Sequence, residues 1–149
     1  MEITTPISSI LDEKGRNVWS ISPDQTVYAA ITLMAEHDIG ALAVLNDDRL
    51  VGTISERDYT RKVVLLGRAS QQTPVSDIMT RDLVTVSPHD SVQECMRLMT
   101  QHRRRHLPVL DGTRLVGLIS IGDVVNWTIG VQNVAISDLE HMVAGTYPR

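Results

Sequence analysis

Ten residues starting at Arg49, RLVGTISERD, return 65 positions later as RLVGLISIGD from Arg114, with seven letters unchanged. Sliding the chain on itself by that offset aligns 18–64 with 83–129 without a gap, giving 16 identities over 47 positions. The match includes Ser22-Pro23 with Ser87-Pro88, Leu33-Met34 with Leu98-Met99, His37 with His102, and Asp58 with Asp123. An internal duplication constrains the fold more than any single element does, because each copy must be one supersecondary unit. A unit of about 50 residues buries too little apolar surface to stand alone. The two copies must therefore share a core, packed with pseudo-twofold symmetry, and leave two related clefts between them.

Each copy predicts the order β-α-β-β-α, an α/β (α+β) fold. A short strand, Val18–Ile21 or Leu83–Val86, is stopped by Ser-Pro. The helix that follows buries Val27, Ala30, Ile31 and Met34, or Val92, Cys95, Met96 and Met99, at spacings of three and four. In the second copy Ser91-Val-Gln-Glu94 reads as a capping box. Strands Leu42–Leu45 and Leu50–Ile54 are joined by Asn46-Asp-Asp, and the second copy uses Asp111-Gly112 there. A second helix starts at Ser55 or Ser120. A lead-in recurs out of register: Ile7-Ser-Ser-Ile10-Leu11 resembles Val75-Ser-Asp-Ile78-Met79, with three extra residues after the first, placed within Asp12–Asn17. The predicted organisation is repeat 1 with its lead-in over 1–66, a linker over 67–74, repeat 2 over 75–130, and a helical tail over 131–149 with Ile136, Leu139, Met142 and Val143 on one face.

Several functional classes are disfavoured. The net charge of −4 provides no basic field for nucleic acid or an anionic membrane. No apolar run approaches the roughly 20 residues that span a bilayer. The single Cys95 cannot form an intramolecular disulfide, and the N-terminus lacks signal-peptide features, so a cytoplasmic protein is expected. No phosphate-binding glycine loop, nucleophile elbow or zinc-protease motif occurs, and no enzyme is expected. Cys95 takes the place of Ala30 and reads as a core residue.

Taken together, VSDIMTRDLVTVSPHDSV, RRHLPVLD and RLVGLISIGDV, in that order and duplicated, resemble a tandem CBS-domain pair, or Bateman module, over about Ile7 to Ile129. The resemblance implies a stand-alone regulatory module that binds an adenosine-containing ligand (AMP, ADP, ATP, NAD or S-adenosylmethionine), forms a homodimer and signals to a partner protein. It implies one cleft where Ser120 and Asp123 meet Lys14, Asn17, Trp19, Ile39, Gly40, Ala41 and Leu118, with Arg105 and His106 also lining it. The opposite cleft combines Ser55 and Asp58 with Thr53, Asp82, Val84 and Arg104-Arg105-His106. Arg57 and Arg61, four apart on one helix face, suit either a phosphate or a solvated salt bridge to a nearby Glu or Asp.

Ser-x-x-Asp has two readings. As helix N-cap and third residue it is a good helix start, worth about 1 kcal/mol. The same geometry offers free N–H groups to phosphate and a carboxylate to ribose hydroxyls. The first reading makes the protein a ligand-free scaffold, the second a sensor, and the resemblance favours the sensor. His102 and His106 have a zinc-ligand spacing only if helical, yet the helix should end there; no metal is expected.

Overall fold

The structure, a computed structural model, describes residues 4–15 and 17–130. The expected tail helix, with Ile136–Val143, lies outside the described residues, as does Arg16 within the extra lead-in stretch. The elements run α1 (Ile7–Lys14), β1 (Ser20–Ile21), α2 (Val27–His37), β2 (Ala41–Asn46), β3 (Arg49–Ser55) and α3 (Glu56–Tyr59). A π-type turn over Thr60–Val64 continues α3, and a 3-10 turn over Val75–Asp77 opens the second copy. Then come α4 (Val92–His102), β4 (His106–Asp111), β5 (Arg114–Ser120) and α5, residues 121–130.

The duplication persists in backbone detail. Both hairpins are antiparallel with equivalent register, Ala41 opposite Ser55 and His106 opposite Ser120, and both shift register after the same residue, Val44 or Val109. Both long helices end on a left-handed residue, Asp38 or Arg103. Their starts are capped alike: the Thr26 hydroxyl accepts from Ala29 N–H, and that of Ser91 from Glu94 N–H. The capping box predicted at Ser91 is only half made, because the Glu94 carboxylate turns to Arg97, 2.7 Å away. The leading strands are shorter than predicted. β1 pairs parallel with β2 through two residues, and its counterpart is a single parallel bridge between Val86 and Val109.

Two cores form, and each mixes the copies. Val27, Ala30, Met34, Leu42, Val44 and Ile54 of repeat 1 pack with Val75, Ile78 and Met79 of the second lead-in. Val92, Cys95, Met99, Leu107, Val109 and Ile119 of repeat 2 pack with Ile7, Ile10 and Leu11 of the first. Each lead-in thus crosses to the other repeat's core. Backbone bonds fix the crossing symmetrically: Ile7 N–H donates to Asp90 O and Val75 N–H to Gln25 O, both at 2.8 Å. The exchange also accounts for the glycine inside RLVG. A Cβ on Gly52 would lie 2.9 Å from Met79 Sδ, and one on Gly117 would lie 2.6 Å from Leu11 Cδ2. Segment 67–74 is more than a spacer: Thr73 is buried, and its carbonyl accepts Val27 N–H.

Candidate functional site

Two cavities open between the repeats, one at each Ser-x-x-Asp. The first, about 430 Å³, is walled by Lys14, Asn17, Trp19, Ile39, Gly40, Ala41, His106, Leu118, Ser120 and Asp123. Every residue expected there lines it except Arg105. Gly15, Val18 and Asp38 line it too and went unpredicted. The second, about 700 Å³, is walled by Thr53, Ser55, Arg57, Asp58, Arg61, Arg104, Arg105 and His106, with Glu56, Lys62, Thr80, Arg103, Ile121 and Gly122 in addition. Gly40, Ala41, His106 and Ser120 border both cavities, which are neighbours rather than opposite ends of the molecule.

Asp82 and Val84 do not line the second cavity. The Asp82 side chain is 92% exposed and held at 3.3 Å by Arg104, and Val84 packs against the repeat 2 core. The register shift between lead-ins explains this: three extra residues bring Asn17 to the first cleft and have no counterpart before Asp82. Lys62 carried a usable signal, its i,i+4 spacing from Asp58. Thr80 carried none, because its place depends on the crossing of the lead-in.

Both Ser-x-x-Asp motifs are complete capping boxes. Ser55 Oγ accepts Asp58 N–H at 3.1 Å while Asp58 Oδ2 accepts Ser55 N–H at 3.0 Å. Ser120 Oγ accepts Asp123 N–H at 3.0 Å while Asp123 Oδ2 accepts Ser120 N–H at 2.8 Å. The two carboxylates differ in what remains. Asp58 Oδ1 takes Thr80 Oγ1 at 3.2 Å and Lys62 Nζ at 3.0 Å, so both its oxygens are engaged. Asp123 concentrates its contacts on Oδ2, which also receives Lys14 Nζ at 2.6 Å, and Oδ1 has no partner among the described residues.

The strand edges differ likewise. Thr53 exchanges both backbone hydrogen bonds with Thr80, at 3.0 and 2.8 Å, which closes the edge of β3 in the second cleft. At the equivalent Leu118 the carbonyl takes the Lys14 ammonium at 2.7 Å. Trp19 stacks on His37 with ring centroids 3.5 Å apart and stays 40% exposed, so it presents a flat apolar surface in the first cleft. Gly40 keeps the shared wall thin, since a Cβ there would come within 3.3 Å of Glu56 Oε1 and 3.6 Å of the His106 ring. Burial, reinforced by the Lys14 charge, holds the His106 imidazole below its usual range, so it is neutral near pH 7.

Other chemistry is sparse. Burial, with Asp90 and Asp123 nearby, pushes the Cys95 thiol up to about 12, which removes its nucleophilic form at neutral pH. His102 ends α4 and His106 begins β4, with left-handed Arg103 between them, so the pair has no helical spacing. Among the described residues no cluster of three or more His, Cys, Asp or Glu side chains could hold a metal ion. Among them, too, no helix is long and apolar enough to cross a membrane.

Comparison with known proteins places these clefts in a family. The CBS-domain family model matches twice, over 8–65 and 75–130. The chain is 38% identical over 154 residues to the mitochondrial CBS domain-containing protein CBSX3 of Arabidopsis thaliana, covering 97% of this chain and 74% of that protein. A solved CBS-domain protein of Burkholderia ambifaria is 50% identical, with a TM-score of 0.81 over 85% of this chain and 95% of the other. The CBS domain pair of protein MJ0100, solved with 5′-methylthioadenosine and S-adenosyl-L-methionine, is 22% identical and shares the fold, with a TM-score of 0.77 over 85% of this chain and 98% of that one. Two family matches across most of the chain, on two interlocked β-α-β-β-α repeats, have one meaning: the protein belongs to the CBS-domain family as a tandem pair, a regulatory ligand-sensing module.

Proposed function

We propose that the protein is an adenine-nucleotide sensor whose nucleoside half binds in the first cleft. The observation that carries this reading is the asymmetry of the two carboxylates. Asp123 keeps one oxygen available to ribose hydroxyls, beside a flat Trp19 surface and the small Gly40-Ala41 wall. Asp58 has both oxygens committed. A volume of about 430 Å³ lies within the range of small-molecule sites. Ser120, at the start of α5, adds a hydroxyl for the first phosphate, while the N–H groups of Ser120, Ile121 and Asp123 are already bonded to Asp123 Oδ2, Arg105 O and Ser120 Oγ. The same fold in MJ0100 accommodates adenosine compounds. Ligand occupancy would tie Lys14 of the crossed lead-in to β5 and α5, a means of signalling to a partner through a homodimer surface.

A second reading, the ligand-free scaffold, is favoured by the completeness of both capping boxes. Calorimetric titration of adenosine, AMP, ADP, ATP and NAD separates the two. At 100 times its dissociation constant a ligand adds about 2.7 kcal/mol of stability, a melting shift of roughly 5–10 °C for a chain of this length. Asp123→Ala should abolish the shift while costing the unliganded fold about 1 kcal/mol, the worth of a cap. Asp58→Ala should cost the fold more, because Lys62 and Thr80 lose their partner with it. If no adenosine compound binds the wild type, the scaffold reading replaces the sensor.

A further inference from the structure

The two Ser-x-x-Asp motifs start alike, and what the crossed lead-ins deliver to them differs. After Val75–Asp77 the second lead-in runs extended, and Thr80 bridges antiparallel to Thr53 at the edge of β3. The approach is close enough that a Cβ on Gly52 would lie 2.9 Å from the Thr80 carbonyl. The first lead-in stays helical through Lys14, with three extra residues in this stretch, and reaches β5 by one side chain: Lys14 Nζ donates to Leu118 O. A ligand can displace a partly exposed lysine at small cost. A backbone bridge bonded at both ends is far harder to open.

The carboxylates repeat the contrast. Asp58 Oδ2 accepts Ser55 N–H and Ser55 Oγ, while Oδ1 accepts Thr80 Oγ1 and Lys62 Nζ. All four of its lone pairs are used, and none is left for a ribose diol. Lys62 is anchored again by the Ile78 carbonyl at 3.0 Å. It comes from the π-type turn, whereas repeat 2 has Trp127 at the equivalent place, packed against the core. The bridge to Thr80 likewise leaves Thr53 no backbone group with which to read a base. We propose that Thr80 and Lys62 are an internal plug that closes the second cleft to nucleosides, so that each chain takes one, at Asp123. The second cleft is the larger by volume, so space does not decide occupancy; the committed carboxylate and strand edge do. Its motif becomes a fastener that holds the crossed lead-in to repeat 1, giving the sensor one responsive half and one fixed half. The site at Asp123 rests on the nucleotide reading above; the plug does not.

Calorimetric titration of the full chain with adenosine tests the plug, with circular dichroism as the control for folding. The wild type should bind one equivalent, which Asp123→Ala removes. Lys62→Met/Thr80→Val keeps the shape of both side chains but frees Asp58 Oδ1. This variant should bind a second equivalent, about tenfold or more weaker than the first because the β3 edge stays bridged. Adding Asp58→Ala to it should remove that equivalent alone. Lys62→Met by itself, at an exposed side chain, is the milder opening should the double variant unfold, and it should show the second equivalent more weakly still. Two equivalents in the wild type overturn the plug, as does a folded, opened variant that gains none. A second equivalent that survives Asp58→Ala lies elsewhere and overturns it too. If the wild type binds no adenosine while the opened variant binds one equivalent through Asp58, the plug stands and the first-cleft reading falls.

Discussion

Gly52 and Gly117 hold the same place in the two copies, yet substitution should affect them unequally. A Cβ at Gly52 would meet the Thr80 carbonyl at 2.9 Å, and that carbonyl is fixed by its bridge to Thr53. At Gly117 the near atoms are the methyl ends of Leu11, which can rotate away. Urea unfolding should therefore show Gly52→Ala losing about 1–3 kcal/mol, the cost of overpacking, and Gly117→Ala losing less. Equal losses would mean that both lead-ins yield alike. His106 supports a prediction of opposite character. Its imidazole is held below the unfolded value near 6.5, so the unfolded chain binds more protons once the pH falls under that value. The stability contributed by neutral His106 is thus fully present above about pH 6.5 and declines as the pH falls toward its folded value. A His106→Gln variant should show a flatter stability profile over that range, measured by denaturant melts at stepped pH. At this scale the sequence was most informative where chemistry is local. Ser120, Asp123, Ser55 and Asp58 announced themselves by spacing. That Asp58 is saturated while Asp123 is not depends on Thr80, 22 residues along the chain.

The helices and hairpins were legible because their signals are periodic and short-ranged. Of the predicted faces, Val27, Ala30 and Met34, and Val92, Cys95 and Met99, are buried, while Ile31 and Met96 at their margins are only partly buried. Asn46-Asp47-Asp48 makes the predicted turn, with Asp47 and Asp48 both at positive φ. The leading strands are shorter than the pattern predicts: Val18 lies outside the sheet, Trp19 touches it only through its carbonyl, which accepts Ala43 N–H at 3.3 Å, and Leu83–Thr85 pair with nothing regular. What the pattern could not convey is which core α1 joins, since that choice pits contacts across about 80 residues of chain against local ones. The crossing makes α1 structurally part of repeat 2. Ile7→Ala, at a site with no exposure, should cost about 2–5 kcal/mol. Its local signature should appear in hydrogen exchange, with protection lost first in α4, β4 and β5 rather than in α2, β2 and β3. Loss centred on repeat 1 would contradict the exchange of lead-ins.

Among the described residues, two groups of large apolar side chains are exposed. Val64, Leu65 and Leu66 follow the helix of repeat 1 and are 54%, 72% and 68% exposed. Ile121, Val125 and Ile129 run along one stripe of α5, each about half exposed. The duplication maps Val64 onto Ile129, whereas Ile121 and Val125 stand where repeat 1 has Glu56 and Thr60, so the two groups share one equivalent position only. An isologous contact with a second copy would cover both groups at once. Exposed apolar side chains at helical spacing are costly to leave wet, each worth about 1.5–3 kcal/mol on full burial. That gain is offset by the lost freedom of association, so a dimer of micromolar rather than picomolar affinity is the reasonable expectation. Sedimentation equilibrium at roughly 10 micromolar chain should then show mostly dimer. Leu65→Asp/Val125→Asp should shift the population to monomer, because each substitution would bury a carboxylate without a partner. Both positions are solvent-exposed in the single chain, so the variant should retain the wild-type circular dichroism. A wild type that stays monomeric at that concentration would leave the clefts intact as binding sites but remove the dimer surface as the route by which occupancy reaches a partner.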